Sequence, residues 1–202
     1  AVEYATTVRD LLGVEIDAAL ILPEDWRRPF DNDYTTQESS QALIEGAELL
    51  AADVAALALA SDASRHAVVG CEPTGPSDRD CFRSFLAAFG RRALRRPLAA
   101  AELERWEALL AEAEETGDFY AAVEVALRAF LQHTELLYRV EVGTPVPGAS
   151  GVSRLGDHEL ATRLSYFLWG STPSDALLDL ADAGTLHTPE QLAAAAEDML
   201  ND

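Results

Sequence analysis

Apolar residues recur with the 3.6-residue period of a helix along most of the chain. Near the start, Tyr4, Val8 and Leu11 share one face of a short helix, and farther on Ser39 or Ser40 can cap a long helix rich in Ala and Leu. No stretch alternates between apolar and polar residues as a half-buried strand does. The pattern therefore predicts an all-α fold, built as a multi-helix bundle.

The middle of the chain carries the largest apolar residues of the pattern. A helix that begins near Cys81 is predicted to turn Phe82, Phe85 and Phe89 inward. The strongly apolar segment 118–138 predicts the central helix of the bundle.

Glycine and proline interrupt this periodicity between residues 143 and 156, which predicts a linker. Three further helices follow it in residues 157–202, and they predict a second, small helical subdomain. The first of these is predicted to begin at an Asp157 cap and to turn Phe167 inward, and the last to turn Leu200 inward.

We therefore expect four parts in the chain. Residues 1–70 form an N-terminal helical segment, 71–142 hold a cysteine loop and the central helices, 143–156 are the linker, and 157–202 begin a third helical domain. Both ends of the sequence stop within regular patterns, which indicates a piece of a longer polypeptide.

The charge balance excludes one class of partner. The chain has 35 acidic residues against 15 basic ones, all of them arginine, for a formal net charge of -20. A nucleic-acid partner is excluded because its phosphates would be repelled. No window of about 18 uninterrupted apolar residues appears, so no transmembrane segment is expected.

The two cysteines, Cys71 and Cys81, lie ten residues apart. Cys71 lies in a loop expected over residues 61–80, which is rich in Gly, Pro and Asp, and Cys81 follows directly after it. The favoured interpretation is a disulfide, which would place the protein outside the cytosol. The alternative is a pair of reduced, partly buried thiols. The chain has no CxxCH motif for haem attachment, and the cofactor stays unknown.

An arginine-rich block over residues 89–98 is the most distinctive local feature. The arginines considered as one cluster are Arg91, Arg92, Arg95, Arg96, Arg139 and Arg163. If the helix continues through the block, its four arginines stack in pairs one turn apart until Pro97 breaks it.

Two interpretations of this cluster stay open. The favoured one is a set of buried or half-buried ion pairs that tie the helical segments together, with Glu3, Asp10, Glu141 and Glu159 as acceptors. Glu159 is also expected to pair with Arg163 on its own helix. The alternative is a patch that binds an anion or a partner, such as haem propionates or an acidic glycan.

The other candidate ligands are weaker. His133, on the predicted central helix, could be an axial haem ligand or a buried switch, but a surface or capping role is favoured for each histidine of the chain. Asp31 and Asp33 could offer oxygen atoms to calcium, but the segment lacks the glycine and distal glutamate of an EF-hand loop, so a turn is favoured. No catalytic constellation is found, because Ser165 has no GxSxG elbow around it.

Three blocks of the sequence resemble one family. They are residues 3–13 followed by 30–32, residues 89–98, and residues 136–141 together with 160–169. In this order they resemble the DUF1587, DUF1595 and DUF1592 domains of large exported bacterial proteins, first noticed in planctomycetes and also common in myxobacteria. The resemblance covers nearly the whole chain.

This resemblance implies a periplasmic, cell-envelope or secreted protein that is associated with c-type cytochromes. The expected partners are the remaining domains of a longer polypeptide or another envelope protein. The first hypothesis is a helical module that serves assembly or electron-transfer partnering. The alternative is an exported enzyme, either a haem-dependent oxidoreductase or a polysaccharide hydrolase, whose active site needs domains absent from this chain.

Overall fold

A computed structural model describes residues 1–23 and 40–201, and helices dominate these residues. In chain order they are α1 (Val2–Leu12), α2 (Gln41–Ala58), α3 (Asp62–Val69), α4 (Arg79–Leu94), α5 (Ala100–Glu107), α6 (Ala111–Thr116), α7 (Phe119–Leu131), α8 (Thr134–Leu137), α9 (Asp157–Leu168), α10 (Asp175–Asp182) and α11 (Pro189–Asn201). Short 3₁₀ turns lie at Ala18–Leu20 and Ala108–Leu110. The all-α prediction is confirmed.

Helices α1 to α8 share one apolar core, with α7 packed between α2 and α4. Phe82 and Phe85 of α4 and Phe130 of α7 are fully buried, as the periodicity predicts. The rings of Phe89 and Phe130 meet edge to face at 5.4 Å, and Trp106 of α5 stacks on Phe130 with ring centroids 3.8 Å apart. These aromatic contacts fix α4, α5 and α7 against one another.

Polar side chains set where these helices begin. Ser40 accepts a hydrogen bond from the backbone N–H of Leu43 at 3.1 Å, which confirms one of the two predicted caps of α2. Asp78 accepts from the N–H of Cys81 at 3.1 Å, so α4 begins slightly before the position expected from its apolar face. Asp118 caps α7 in the same way.

The predicted disulfide between Cys71 and Cys81 is confirmed, with an S–S distance of 2.04 Å. It joins the segment after α3 to the first turn of α4. The loop expected over residues 61–80 is wrong in its first half, because Ser61 and Ser64 cap each other's backbone N–H groups and start α3 there.

Helices α9, α10 and α11 enclose a second, smaller apolar core. Its buried members are Ala161, Leu177, Ala181, Leu186, Ala195 and Met199. This core confirms the small helical subdomain predicted after the linker.

Two residues expected inside this subdomain lie outside it. Phe167 is 82% exposed and Leu200 is 71% exposed. The buried side of α9 is formed by Ala161, Thr162 and Ser165. Phe167 comes two positions after Ser165, about 200° around the helix, and therefore faces away from the core.

The linker contains a small antiparallel hairpin of β1 (Thr144–Pro145) and β2 (Ser153–Arg154). The expectation of no strand is therefore wrong here, because strands this short are unable to show an alternating pattern. Gly143, at φ +63°, lets the two strands approach, since a Cβ there would lie only 2.8 Å from the Arg154 carbonyl oxygen. Within residues 1–23 and 40–201, no helix has the length and apolar character needed to cross a bilayer.

Candidate functional site

Most of the predicted arginine cluster lies where α1, the end of α4 and the α9–α10 pair meet. The expected stacking in pairs is wrong, because α4 ends at Leu94 and Arg95 takes a left-handed conformation with φ 61°. A left-handed residue at a helix end redirects the chain and is usually glycine. The four arginines of the block therefore reach different partners.

Arg91 binds the third part of the chain. It donates to Asp179 of α10 at 2.6 Å and to Asp182 at 2.9 Å, and Asp175 lies 3.5 Å away. His158 of α9 also contacts the Asp182 carboxylate at 2.7 Å. Burial alone would raise the pKa of Asp182, but the hydrogen bonds from His158 and Arg91 outweigh it, and the pKa falls below its usual range.

Arg92 joins α4 to α1 through backbone groups. Its guanidinium donates to the carbonyl oxygen of Asp10 at 2.7 Å, while Thr172 donates to the carbonyl oxygen of Arg92 at 3.0 Å. The Asp10 carboxylate accepts hydrogen bonds from Arg9 and Ser171. Asp10 is thus an acceptor for the block, but through its main chain and not through the expected ion pair.

Arg95 is buried, with 4% of its surface exposed. It donates to the carbonyl oxygen of Glu135 and, at 3.1 Å, to that of Tyr138, which satisfies acceptors in and after α8. Its guanidinium carbon also lies 5.7 Å from the ring centre of Tyr166 in α9. Burial lowers the pKa of Arg95, although Tyr166 and Glu135 favour the charged form.

Arg96 lies between two carboxylates at the start of α5 and in α8. It forms two hydrogen bonds of 2.9 Å with Glu102 and bonds of 2.8 and 2.7 Å with Glu135. Glu102 also accepts the backbone N–H of Ala99 at 2.8 Å, which is one of the two hydrogen bonds of a capping box. The other is absent because the Ala99 side chain has no acceptor. The bonds from Arg96 and Ala99 lower the pKa of Glu102 to about 2.

Arg139 reaches α1 and α9 together. It donates to the Glu3 carboxylate at 2.7 Å, as expected for this acceptor, and lies 5.0 Å from the ring centre of Tyr166. The Tyr166 ring therefore lies close to two guanidinium groups, those of Arg95 and Arg139, at distances typical of cation–π contacts.

Helix α1 also contacts α9 and the turn directly after it through uncharged side chains that the sequence reasoning missed. The hydroxyl groups of Thr7 and Tyr166 lie 2.9 Å apart, and Thr6 donates to the carbonyl oxygen of Gly170 at 2.6 Å. Helical periodicity carries no signal for such pairs, because threonine and tyrosine fit buried and exposed positions equally well.

Arg163 lies apart from this junction. It binds Glu141, with one bond of 2.9 Å, and so holds the chain before the hairpin against α9. The expected pair of Glu159 with Arg163 is corrected, since Glu159 accepts the backbone N–H groups of Val142 and Gly143 at 2.7 and 2.9 Å. Burial would raise the pKa of Glu159, but hydrogen bonds from the backbone N–H groups of Gly156, Gly143 and Val142 lower it.

The start of α9 also differs from the prediction. Gly156, and not Asp157, is the N-cap, and Glu159 accepts the Gly156 N–H at 2.7 Å. Asp157 instead accepts the N–H of Leu186 at 2.8 Å, which ties α9 to the segment before α11.

His133 is a helix cap in the structure. Helix α7 ends at Leu131, so His133 lies outside it, and its Nδ1 accepts the N–H of Glu135 at 3.2 Å to start α8. A ring nitrogen that accepts is unprotonated, so the neutral imidazole carries its proton on Nε2. Iron binding through Nε2 would require the ring to give up this cap.

The second weak candidate, Asp31 with Asp33, lies outside the described residues. Across residues 1–23 and 40–201, no group of three or more His, Cys, Asp and Glu side chains is placed to hold a metal ion.

One buried carboxylate escaped the sequence reasoning altogether. Glu107 of α5 is 6% exposed and is bound by Arg79 at 2.6 Å and by Arg83. The signal was the spacing of the two arginines, which lie one turn apart on α4 and so face the same acceptor.

We define the arginine seam as Arg91, Arg92, Arg95 and Arg139 together with the residues they contact on α1, α8, α9 and α10. The seam brings three stretches of sequence to one place, whereas Arg96 and Arg163 act beside it. Guanidinium groups suit this position because they stay charged when half-buried and offer several donors in a fixed plane.

Comparison with known families gives three matches in series along the chain. Each model carries the description of a protein of unknown function: DUF1587 matches residues 1–60, DUF1595 residues 81–141 and DUF1592 residues 155–202. The family resemblance predicted from the sequence is confirmed. No curated protein and no solved structure matches the chain.

Proposed function

Because this chain carries the DUF1587, DUF1595 and DUF1592 families in series, we propose that it is a helical assembly module of an exported, cell-envelope protein associated with c-type cytochromes. The module serves assembly or electron-transfer partnering. The observation that carries the proposal is the arginine seam, since its contacts join residues from all three matched ranges.

The seam supports an assembly role because its donors already have acceptors inside the chain. Arg91 binds three aspartates of α10, Arg139 binds Glu3, and Arg95 binds carbonyl oxygens of the α8 region. Such contacts hold the outer surfaces of the three matched ranges in one fixed arrangement. A fixed arrangement favours docking of further domains, since less order is lost on binding.

The disulfide supports export. The Cys71–Cys81 bond is compatible with a periplasmic, extracellular or envelope location, because disulfides persist in oxidising compartments and are rare in the cytosol. We propose the remaining domains of a longer polypeptide, or another envelope protein, as the partner. Within the module we propose domains at 1–70, 71–142 and 157–202.

The strongly acidic chain also suits an encounter with a basic redox protein. A net charge of -20 raises the rate at which a positively charged partner finds this surface, in a salt-dependent way. A c-type cytochrome with a basic surface fits this requirement.

Purification of the protein from its native host tests the proposal. We expect a c-type cytochrome spectrum to stay with the protein through size-exclusion chromatography and to dissociate in high salt. The recombinant chain carrying Arg91→Ala and Arg139→Ala should bind the isolated cytochrome more weakly, while Arg105→Ala, an exposed position outside the seam, should bind as the natural chain does. Purified protein without haem absorbance that cleaves glycans would contradict the assembly role and favour an exported hydrolase.

A further inference from the structure

A groove of about 490 Å³ lies on the third part of the chain, between β2, α9 and the start of α11. Leu155, Leu160 and Leu192 line it with half-buried apolar side chains. The groove is shallow and open to solvent, so a ligand would lie along it and not inside an enclosed cavity. The groove lies on surface that the arginine seam does not use.

The polar lining of this groove includes two arginines and a histidine. Arg154, Arg163 and His187 border it and are exposed, and no acidic side chain is among its lining residues. Basic side chains therefore predominate around the groove, whereas in the whole chain 35 acidic residues outnumber 15 basic ones. The groove is thus a local exception in a chain that otherwise repels anions.

Neighbouring carboxylates contact two of these groups. Arg163 binds Glu141, and the Nδ1 atom of His187 lies 3.5 Å from an Asp157 oxygen. The Arg154 guanidinium has no ion-pair partner in the described part of the chain. The charge left over for a ligand is therefore one guanidinium group, which matches a monoanion.

Apolar surface continues beyond the groove along α9. Phe167 follows Arg163 by one helical turn on the same side of the helix, and it is 82% exposed. An exposed phenylalanine on the same side of α9 as Arg163 adds apolar surface on which a hydrocarbon chain can lie.

We propose that this groove binds a small amphipathic monoanion, an aliphatic chain that carries one carboxylate. The carboxylate pairs with Arg154, whose planar fork matches its two oxygen atoms. The aliphatic chain covers Leu155, Leu160 and Leu192 and extends toward Phe167. This site is independent of the assembly role proposed above.

Titration of the ¹⁵N-labelled protein with decanoate, followed by NMR, tests the proposal. The backbone signals that shift should be confined to β2, the α9 face around Leu160 and the start of α11. Decanol, which has the same chain without the charge, should bind more weakly by about fivefold or more.

The matched variants are Arg154→Gln and Arg105→Gln, both at exposed arginines. The first should weaken decanoate binding by about fivefold or more, and the second should leave it unchanged. Their unliganded spectra report whether each variant is folded. Absence of decanoate binding, shifts centred elsewhere, equal binding of decanol, or an Arg154→Gln variant with full affinity would each overturn the proposal.

Discussion

At the scale of the residue, Arg95 combines two features that rarely occur together. It takes the left-handed conformation usual for glycine, at φ 61°, and it buries a guanidinium group with 4% of its surface exposed. Its hydrogen bonds to the carbonyl oxygens of Glu135 and Tyr138 offset the cost of this burial. The residue therefore joins the end of α4 to α8 and α9.

Replacing Arg95 by Ala should destabilise the protein by about 2–4 kcal/mol, because carbonyl oxygens of the α8 region lose their donor and a space opens beside Tyr166. The free energy of unfolding in urea measures this. Arg105→Ala, at an exposed position of α5, is the control and should change stability by less than about 0.5 kcal/mol. An equally small loss for Arg95→Ala would contradict the role assigned to it.

Glu102 predicts an acid-dependent loss of stability. Its pKa is lowered to about 2 in the folded chain by Arg96 and the Ala99 N–H, against a usual value of 4.5. Its contribution is fully present above the usual pKa and is lost as the pH falls toward about 2. Urea midpoints measured from pH 6 down to pH 2.5 should fall less steeply for Glu102→Gln than for the natural chain, because glutamine takes up no proton in this range.

Glu104→Gln, at an exposed position of the same helix, is the control for this measurement. It should retain the steep fall of the natural chain. If the urea midpoints of the natural chain and of Glu102→Gln fell equally steeply with pH, the ion pair between Arg96 and Glu102 would be absent in solution.

At the residue scale, the sequence indicated the arginine donors of the seam better than the groups that accept their hydrogen bonds. The clustering of arginines is visible in the sequence, and Glu3 is expected there as one of four acceptors, but its pairing with Arg139 is known only from the structure. The carbonyl acceptors of Arg92 and Arg95 are different, because every residue carries a carbonyl group and only the packing of helix ends decides which are unpaired.

At the scale of the element, cap residues located the start of α2 but not the starts of α3 and α9, and apolar periodicity misjudged several helix ends and faces. Ser40 marks the start of α2, since its side chain supplies the acceptor that the first turn requires. The apolar face predicted over residues 118–138 hid the break between α7 and α8. Phe167 and Leu200 were misplaced because these short helices carry apolar residues on more than one side.

The disulfide is the covalent link between two elements, the segment after α3 and the start of α4. Its removal by Cys71→Ser with Cys81→Ser should lower the free energy of unfolding by roughly 2–3 kcal/mol, because the unfolded chain regains loop entropy. Thermal or urea unfolding of the two proteins measures this difference.

Mass spectrometry without reductant provides the matching check on the natural chain. The peptides that contain Cys71 and Cys81 should be found linked in freshly purified protein from the native host. Free thiols in that sample would contradict both the bond and the export that it supports.

At the scale of the whole molecule, two apolar cores meet across a largely polar boundary. One core spans α1 to α8 and the other α9 to α11. The sequence predicted the second core from the glycine and proline residues before it. It gave no direct sign that Thr7 of α1 would contact α9, or that Thr6 would contact the turn after it, because such contacts are distant in the chain.

Tryptophan positions make this boundary measurable. Trp106 lies against the first core on Phe130, and Trp169 donates to the Met199 carbonyl oxygen beside the second core. The chain has a third tryptophan, Trp26, so variants in which Trp26 is replaced and only Trp106 or only Trp169 is kept report the unfolding of each core separately.

The most direct test of the account is urea unfolding of these two single-tryptophan proteins, each with and without Arg91→Ala plus Arg139→Ala. With the seam intact, we expect the Trp106 and Trp169 transitions to coincide, since the seam couples the two cores. With the seam removed, the Trp169 transition should move to lower urea and separate from that of Trp106. Transitions that already differ in the intact chain, or that still coincide at an unchanged midpoint in the variant, would contradict the claim that these arginines hold the molecule together.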